Sequence, residues 1–261
     1  MRIGLIGGGN IGKFLLQSIN MDGLLPDGKI VGLYTRNQQS AEQLAREFDT
    51  ENYLDIQSLI ESAAIDLVIE AANIQVVKDY AAAILKGGKD LVVSSVGALA
   101  DGHFYQQLER ICQEARSKIY LPAGAIGGLD ILKAAKSIGE LESVSIITRK
   151  PPMALPGAPA DREQVMFEGT AKEAIELFPK NINVSIILSL AGLGPDKTGV
   201  KIISDPAVRK NSHLIEAAGS FGALSLQVEN DPMPNNPKTS YLAALSVLSV
   251  LKNKDAVVKV G

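Results

Sequence analysis

The first hundred and twenty residues repeat one pattern, a short apolar run followed by a segment with helical spacing. Arg2 to Ile6 is apolar after its first residue and stops at three glycines, and from Ile11 the positions Ile11, Phe14, Leu15, Ser18 and Ile19 fall on one helical face. That order is strand, tight turn, helix. Lys29 to Tyr34 reads as a second buried strand, and Ala41, Leu44, Ala45 and Phe48 mark a helix whose start carries the capping pattern Ser40-x-x-Gln43. Asp66 to Glu70 is the next strand, and Val76 to Leu85 is a helix stopped by Gly87-Gly88. A buried strand over Asp90 to Ser95, a helix over Phe104 to Ala115 and a strand over Lys118 to Leu121 complete the series. Parallel strands need crossovers of about a dozen residues, so this alternation predicts a parallel sheet covered on both faces. Residues 1–121 are therefore expected to form a Rossmann-type, doubly wound domain.

After Pro122 the spacing changes. Ser143 to Arg149 reads as a strand, Met153 to Asp161 as a proline-containing loop that is either a lid or a surface excursion, and Gln164 to Phe167 as a strand. Thr170-x-x-Glu173 caps a helix running to Phe178, and Asn183 to Leu193 is a helix apolar enough to be buried on most sides. Thr198 to Ser204, His213 to Ala218 and Ala223 to Val228 run at strand length, so residues 122–238 are expected to be an α+β domain with a mixed or antiparallel sheet. Asn230 to Pro237 reads as a linker. The helix from Tyr241 to Leu251 is apolar on nearly every side, and the segment 239–261 is expected to pack back on the first domain.

Composition narrows the class. With 46% hydrophobic and 21% charged residues the chain can build a substantial core. A net charge of -3 gives none of the basic footprint that nucleic-acid binding requires. The single cysteine, Cys112, cannot form an internal disulfide, which fits a reducing compartment, and no run approaches the roughly 20 apolar residues of a membrane span, so a cytoplasmic location is expected.

Gly7-x-Gly9-x-x-Gly12 sits between a strand and a helix, the context in which this pattern binds a dinucleotide. Gly7 permits the tight turn, Gly9 lets backbone approach a pyrophosphate, and Gly12 lets the helix lie close to the strand. The N–H groups of the helix start then face the phosphates. Gly7, Gly9, Asn10, Ile11 and Gly12 are thus the expected cofactor contacts. The second strand ends in Tyr34-Thr35-Arg36-Asn37, where an NAD-selective site would carry a carboxylate for the ribose hydroxyls. With none present, Thr35 and Arg36 admit the 2′-phosphate of NADP at least as well as NAD, unless Arg36 is simply a solvated charge.

Two histidines are the candidates for acid–base chemistry near neutral pH. His103 precedes a helix and reads as exposed. His213 follows a turn at a strand edge, and its spacing alone is compatible with a structural or a catalytic role. The small-residue segment Pro122 to Asp130 can admit a flat ring or serve as domain-boundary packing.

Pro122-Ala123-Gly124-Ala125-Ile126-Gly127-Gly128-Leu129-Asp130, Thr148-Arg149-Lys150-Pro151-Pro152, Phe178-Pro179-Lys180-Asn181-Ile182-Asn183-Val184, Asp205-Pro206 through Asn211-x-His213, and Asn236-Pro237-Lys238-Thr239-Ser240 together resemble the L-aspartate dehydrogenase family. The resemblance implies reversible NAD- or NADP-dependent oxidative deamination of L-aspartate to iminoaspartate, then oxaloacetate and ammonia, with a possible link to nicotinamide cofactor synthesis. It implies His213 as the acid–base residue and places Ala125 and Asn183 against the nicotinamide part of the cofactor. The substrate's two carboxylates need cationic partners, for which Lys180, Lys150 and Lys238 are candidates. No metal is expected, and a homodimer is. Two other readings remain open at this point, a reductase of the dihydrodipicolinate-reductase type and a protein that senses NADP(H) without turnover.

Overall fold

A computed structural model describes residues 1–178, 182–233 and 236–258, with the backbone alone for residues 236–238. Among the described residues the chain divides into two units, one formed by Met1–Pro122 with residues 244–258, the other by Ala123–Ala243.

The first unit opens with β1 (Arg2–Ile6) and α1 (Asn10–Leu16), which continues as a wider π turn over Gln17–Met21. There follow β2 (Lys29–Tyr34), α2 (Gln38–Glu47), β3 (Glu51–Asn52), α3 (Ile56–Glu61), β4 (Leu67–Glu70), α4 (Ile74–Lys86), β5 (Asp90–Val93), α5 (Gly102–Ala115) and β6 (Ile119–Tyr120). The sheet order is β3-β2-β1-β4-β5-β6, and each neighbouring pair is parallel. This is the doubly wound order that binds dinucleotides outside the carboxyl ends of its strands. Buried on both faces, β1 presents Ile3, Leu5 and Ile6 to the core, which is why it reads as an unbroken apolar run.

Two local expectations are corrected. Asn37, not Ser40, caps α2: its side chain accepts the Ser40 N–H at 3.0 Å. The helix α3 escaped the sequence reading, although Asp55 caps it by accepting the Ser58 N–H at 2.8 Å and Ile56, Leu59 and Ile60 are its buried face.

The second unit contains α6 (Leu129–Lys136), β7 (Leu141–Lys150), β8 (Gln164–Thr170), α7 (Ala171–Leu177), α8 (Asn183–Ala191), β9 (Thr198–Ser204), β10 (Asn211–Gly219), β11 (Gly222–Asn230), β12 (Pro232–Met233) and β13 (Asn236–Ser240). Its five-stranded sheet has the order β11-β10-β7-β9-β8 and is mixed, with β7 parallel to β9 and the other pairs antiparallel. One face is covered by helices. A Cβ on Gly192 at the end of α8 would sit 3.1 Å from Val144 of β7, which fixes the side on which α8 packs. Thr170 and Glu173 form the reciprocal capping box that starts α7. Residues read as a linker instead pair as β12 with β13, Met233 burying its side chain there.

The last helix, α9 (Tyr241–Asn253), carries Val247, Leu248 and Leu251 into one buried cluster with Ile3, Leu5, Leu15, Leu33 and Val92 of the first unit. This explains its apolar character without recourse to a membrane. Among the described residues no helix is long and apolar enough to span a bilayer.

Candidate functional site

In the first unit the glycine motif forms a cradle that tolerates no side chain at two positions and stays open at the third. Gly7 has φ +116°, and a Cβ there would meet the Ala71 carbonyl oxygen at 2.4 Å. A Cβ on Gly12 would stand 2.0 Å from the Gly7 carbonyl oxygen, so α1 can approach the turn only with glycine. Nothing lies within 4 Å of a Cβ built on Gly9, which is exposed. Gly9 is also the N-cap of α1 and supplies no side-chain acceptor. Backbone N–H groups of Asn10 and Ile11 are therefore available to a phosphate, and the geometry fits a dinucleotide. The corner after β2 adjoins this cradle: the Gly7 N–H donates to the Tyr34 carbonyl at 2.9 Å, and a Cβ on Gly8 would stand 3.4 Å from Thr35. Arg36 is exposed and takes part in none of the ion pairs formed among the described residues.

Glu70 closes this cradle from behind and is a residue the sequence reading missed. It pairs in register with Ile6 at the end of β4 and is 1% exposed. Its carboxylate accepts the Ala72 N–H at 2.7 Å, the Ser95 N–H at 2.9 Å and the Ser95 hydroxyl at 2.9 Å, tying the turns after β4 and β5 together. Burial pushes its pKa up, and those donors oppose the shift.

The second unit gathers a buried polar cluster at one end of its sheet. Along β7 the helix-covered face is Val144, Ile146, Thr148 and Lys150, apolar at first and polar for its last two members. Along β10 the same face carries Asn211, His213, Ile215 and Ala217. Thr148 and His213 stand directly opposite each other across the antiparallel pair, and Thr148 Oγ1 is hydrogen-bonded to His213 Nδ1 at 3.0 Å. Lys150 is in register with Ser204 of β9. Among the described residues the buried Ser204 hydroxyl has no hydrogen-bond partner, and neither has Oδ1 of Asn230.

The loop before α6 is held against this cluster. Asn230 donates from Nδ2 to the Ala125 carbonyl at 3.1 Å, and Asn230 is in register with Asn211. A Cβ on Gly124 would lie 3.6 Å from Val184, the neighbour of Asn183 at the start of α8. Ala125, Asn183 and His213 thus share one end of the second sheet. The turn leading into β10 is pinned by Arg149, which contacts Asp205 at 3.1 Å and Glu163 at 2.7 Å.

Burial dominates the electrostatics. His213 is 3% exposed, and its pKa is lowered to about 3, first by desolvation and then by the positive charge of Lys150. Lys150 is 8% exposed and lowered to about 8 by burial. At neutral pH the imidazole is neutral and the ammonium still largely protonated. Lys180 lies outside the described residues, and so does the side chain of Lys238. His103 is exposed at the start of α5.

A parallel dinucleotide-binding sheet followed by a mixed-sheet unit with a buried histidine defines the class of nicotinamide-dependent oxidoreductases. A family model described as "Homoserine dehydrogenase, NAD binding domain" matches residues 7–122, and one described as "Aspartate dehydrogenase, C-terminal" matches residues 130–254. An L-aspartate dehydrogenase of Nitrosopumilus maritimus is 41% identical over 96% of this chain and 95% of its own length. Another from Methanospirillum hungatei is 42% identical over 100% of this chain and 99% of its own. The crystal structure of an aspartate dehydrogenase from Thermotoga maritima superposes with a TM-score of 0.82 at 30% identity, covering 100% of this chain and 99% of that one. The chain belongs to the L-aspartate dehydrogenase family.

A histidine with a depressed pKa makes stability pH-dependent in a defined direction. Below its ordinary pKa of 6.5 the unfolded chain takes up a proton that folded His213 refuses until about pH 3. Its contribution is intact above pH 6.5 and is lost as pH falls through that window. Thermal midpoints of the protein and of His213→Gln, measured from pH 7.5 to 4, should show a shallower acid loss in the variant. Equal slopes would contradict burial of a neutral imidazole.

Proposed function

We infer that this chain catalyses the reversible NAD(P)-dependent oxidative deamination of L-aspartate to oxaloacetate and ammonia. The observation that carries this reading is a neutral, buried imidazole beside a buried ammonium, in a chain similar from end to end to L-aspartate dehydrogenases.

A bound nicotinamide ring supplies the hydride acceptor for the hydrogen on the substrate Cα. The substrate ammonium must first lose one proton to become a neutral amine, and His213 is assigned as the base that accepts it. Its low pKa in the empty protein is raised when a dicarboxylate enters, because the added negative charge offsets that of Lys150. The substrate itself thus brings the imidazole toward a useful basicity. Lys150 is assigned to one substrate carboxylate, with Lys180 and Lys238 as candidates for the other. Oxidation leaves iminoaspartate. His213 then assists addition of water to the imine carbon, the C–N bond breaks, and the nitrogen leaves as ammonia.

Gly7, Gly9, Asn10, Ile11 and Gly12 are assigned to the pyrophosphate, Thr35 and Arg36 to the adenosine ribose, and Ala125 and Asn183 to the nicotinamide end. In this proposal residues 1–121 are the cofactor domain, residues 122–238 the substrate domain and 239–261 the segment returning to the first. The absence of a carboxylate in Tyr34-Thr35-Arg36-Asn37 supports use of NADP alongside NAD. Iminoaspartate is a precursor suited to pyridine-nucleotide synthesis, and a cytoplasmic location suits that role. A homodimer is supported by exposed Tyr241, Leu242 and Leu245 on α9.

The reaction is followed at the reduced-nicotinamide absorbance band, with oxaloacetate and ammonia plus NADH or NADPH. His213→Ala should lower turnover by about 100-fold or more while cofactor still binds. Undiminished turnover would remove His213 from the chemistry, and cofactor binding without turnover on any 2-oxo acid would favour the sensor. Arg36→Ala should weaken NADPH by about tenfold and NADH little, since one charge-assisted pair to a phosphate is lost. Equal losses would show that Arg36 does not read the phosphate.

A further inference from the structure

We propose that Thr148 is a positioning residue that selects the reacting nitrogen of His213, its hydroxyl holding Nδ1 so that Nε2 exchanges the proton with substrate. The inference rests on the dehydrogenase reading above and adds to it the residue that orients the base.

Three observations carry it. The hydrogen bond between Thr148 Oγ1 and His213 Nδ1 is 3.0 Å long, and the two residues are 2% and 3% exposed, so water does not compete for that nitrogen. They are direct cross-strand partners in the β7–β10 ladder, which places both side chains on one face by backbone hydrogen bonding. Threonine is β-branched and stiff about χ1 in a strand, so its hydroxyl is held in place without a further partner.

The chemistry favours a hydroxyl here. When Nε2 acts as a base, the proton of the neutral ring sits on Nδ1 and is donated to Oγ1. Once Nε2 has accepted a proton, the same Nδ1–H bond persists. One partner therefore supports both directions of a reversible proton transfer. A carboxylate in this place would stabilise the imidazolium and resist the return step.

Thr148→Val keeps shape and strand propensity but removes the hydroxyl, and Thr148→Ser restores it. The valine variant should lose about tenfold or more in kcat, with KM for aspartate and cofactor affinity changed far less, and serine should recover most of the loss. Nitrogen-15 spectra of the imidazoles resolve the two histidines of the chain. His213 should show one dominant tautomer in the parent protein and an averaged mixture in Thr148→Val, with His103 unchanged. A valine variant with parent-like kcat, a serine variant as impaired as valine, or an unaltered tautomer balance would each overturn the proposal. A parent protein inactive on aspartate would instead defeat the functional reading, while the spectra still decide whether Thr148 holds Nδ1.

Discussion

The second unit depends on the cost of holding two basic groups in one apolar wall. Lys150 and His213 sit on the helix-covered face of a sheet whose other positions on the same two strands include Val144, Ile146, Ile215 and Ala217. Removing a cation from water is expensive, and the protein meets the cost by lowering both proton affinities and by keeping only one of the pair charged. That imbalance suits deamination, which needs a base free of its own proton and a cation for a carboxylate. The hydrogen bond between Thr148 and His213 then fixes the imidazole.

The first unit treats charge in the opposite way. Glu70 is as deeply buried as His213, yet three N–H and O–H donors converge on its carboxylate from the turns after β4 and β5. Both turns lie at the carboxyl ends of parallel strands, beside the glycine cradle. Rigid backbone there is what leaves the N–H groups of α1 aimed outward, since Gly7 already touches Ala71 and Gly12 already touches Gly7. A cofactor cradle of this kind is pre-formed by packing and needs no side chain to shape it.

Much of this architecture is legible in the sequence because the elements are long and their apolar periods differ cleanly. The glycine motif is informative through its position between β1 and α1, and the capping box Thr170-x-x-Glu173 marks its helix start correctly. What escaped depends on pairing between distant segments. Thr148 looks like any strand threonine until register sets it against His213, 65 positions along the chain. Asn230 reads as the edge of a linker, whereas it holds the Ala125 carbonyl from across 105 positions. Glu70 reads as the polar end of an apolar strand. One signal was present: polar Thr148 and Lys150 continue the core-facing alternation of Val144 and Ile146, and a polar residue at a core position usually has work to do. The short helix α3 was overlooked because its six residues fall below the length at which a period is convincing.

Deamination by this site requires a His213 that is neutral before substrate arrives. Proton NMR titration of the His213 imidazole C–H resonances between pH 5 and 8.5 reads that state directly. With its pKa lowered to about 3, the His213 signal should stay at its neutral position throughout that range. A His213 signal that titrates near 6.5 would contradict burial of a neutral ring, for the imidazole would then be solvated and its pairing with Lys150 would carry no functional meaning.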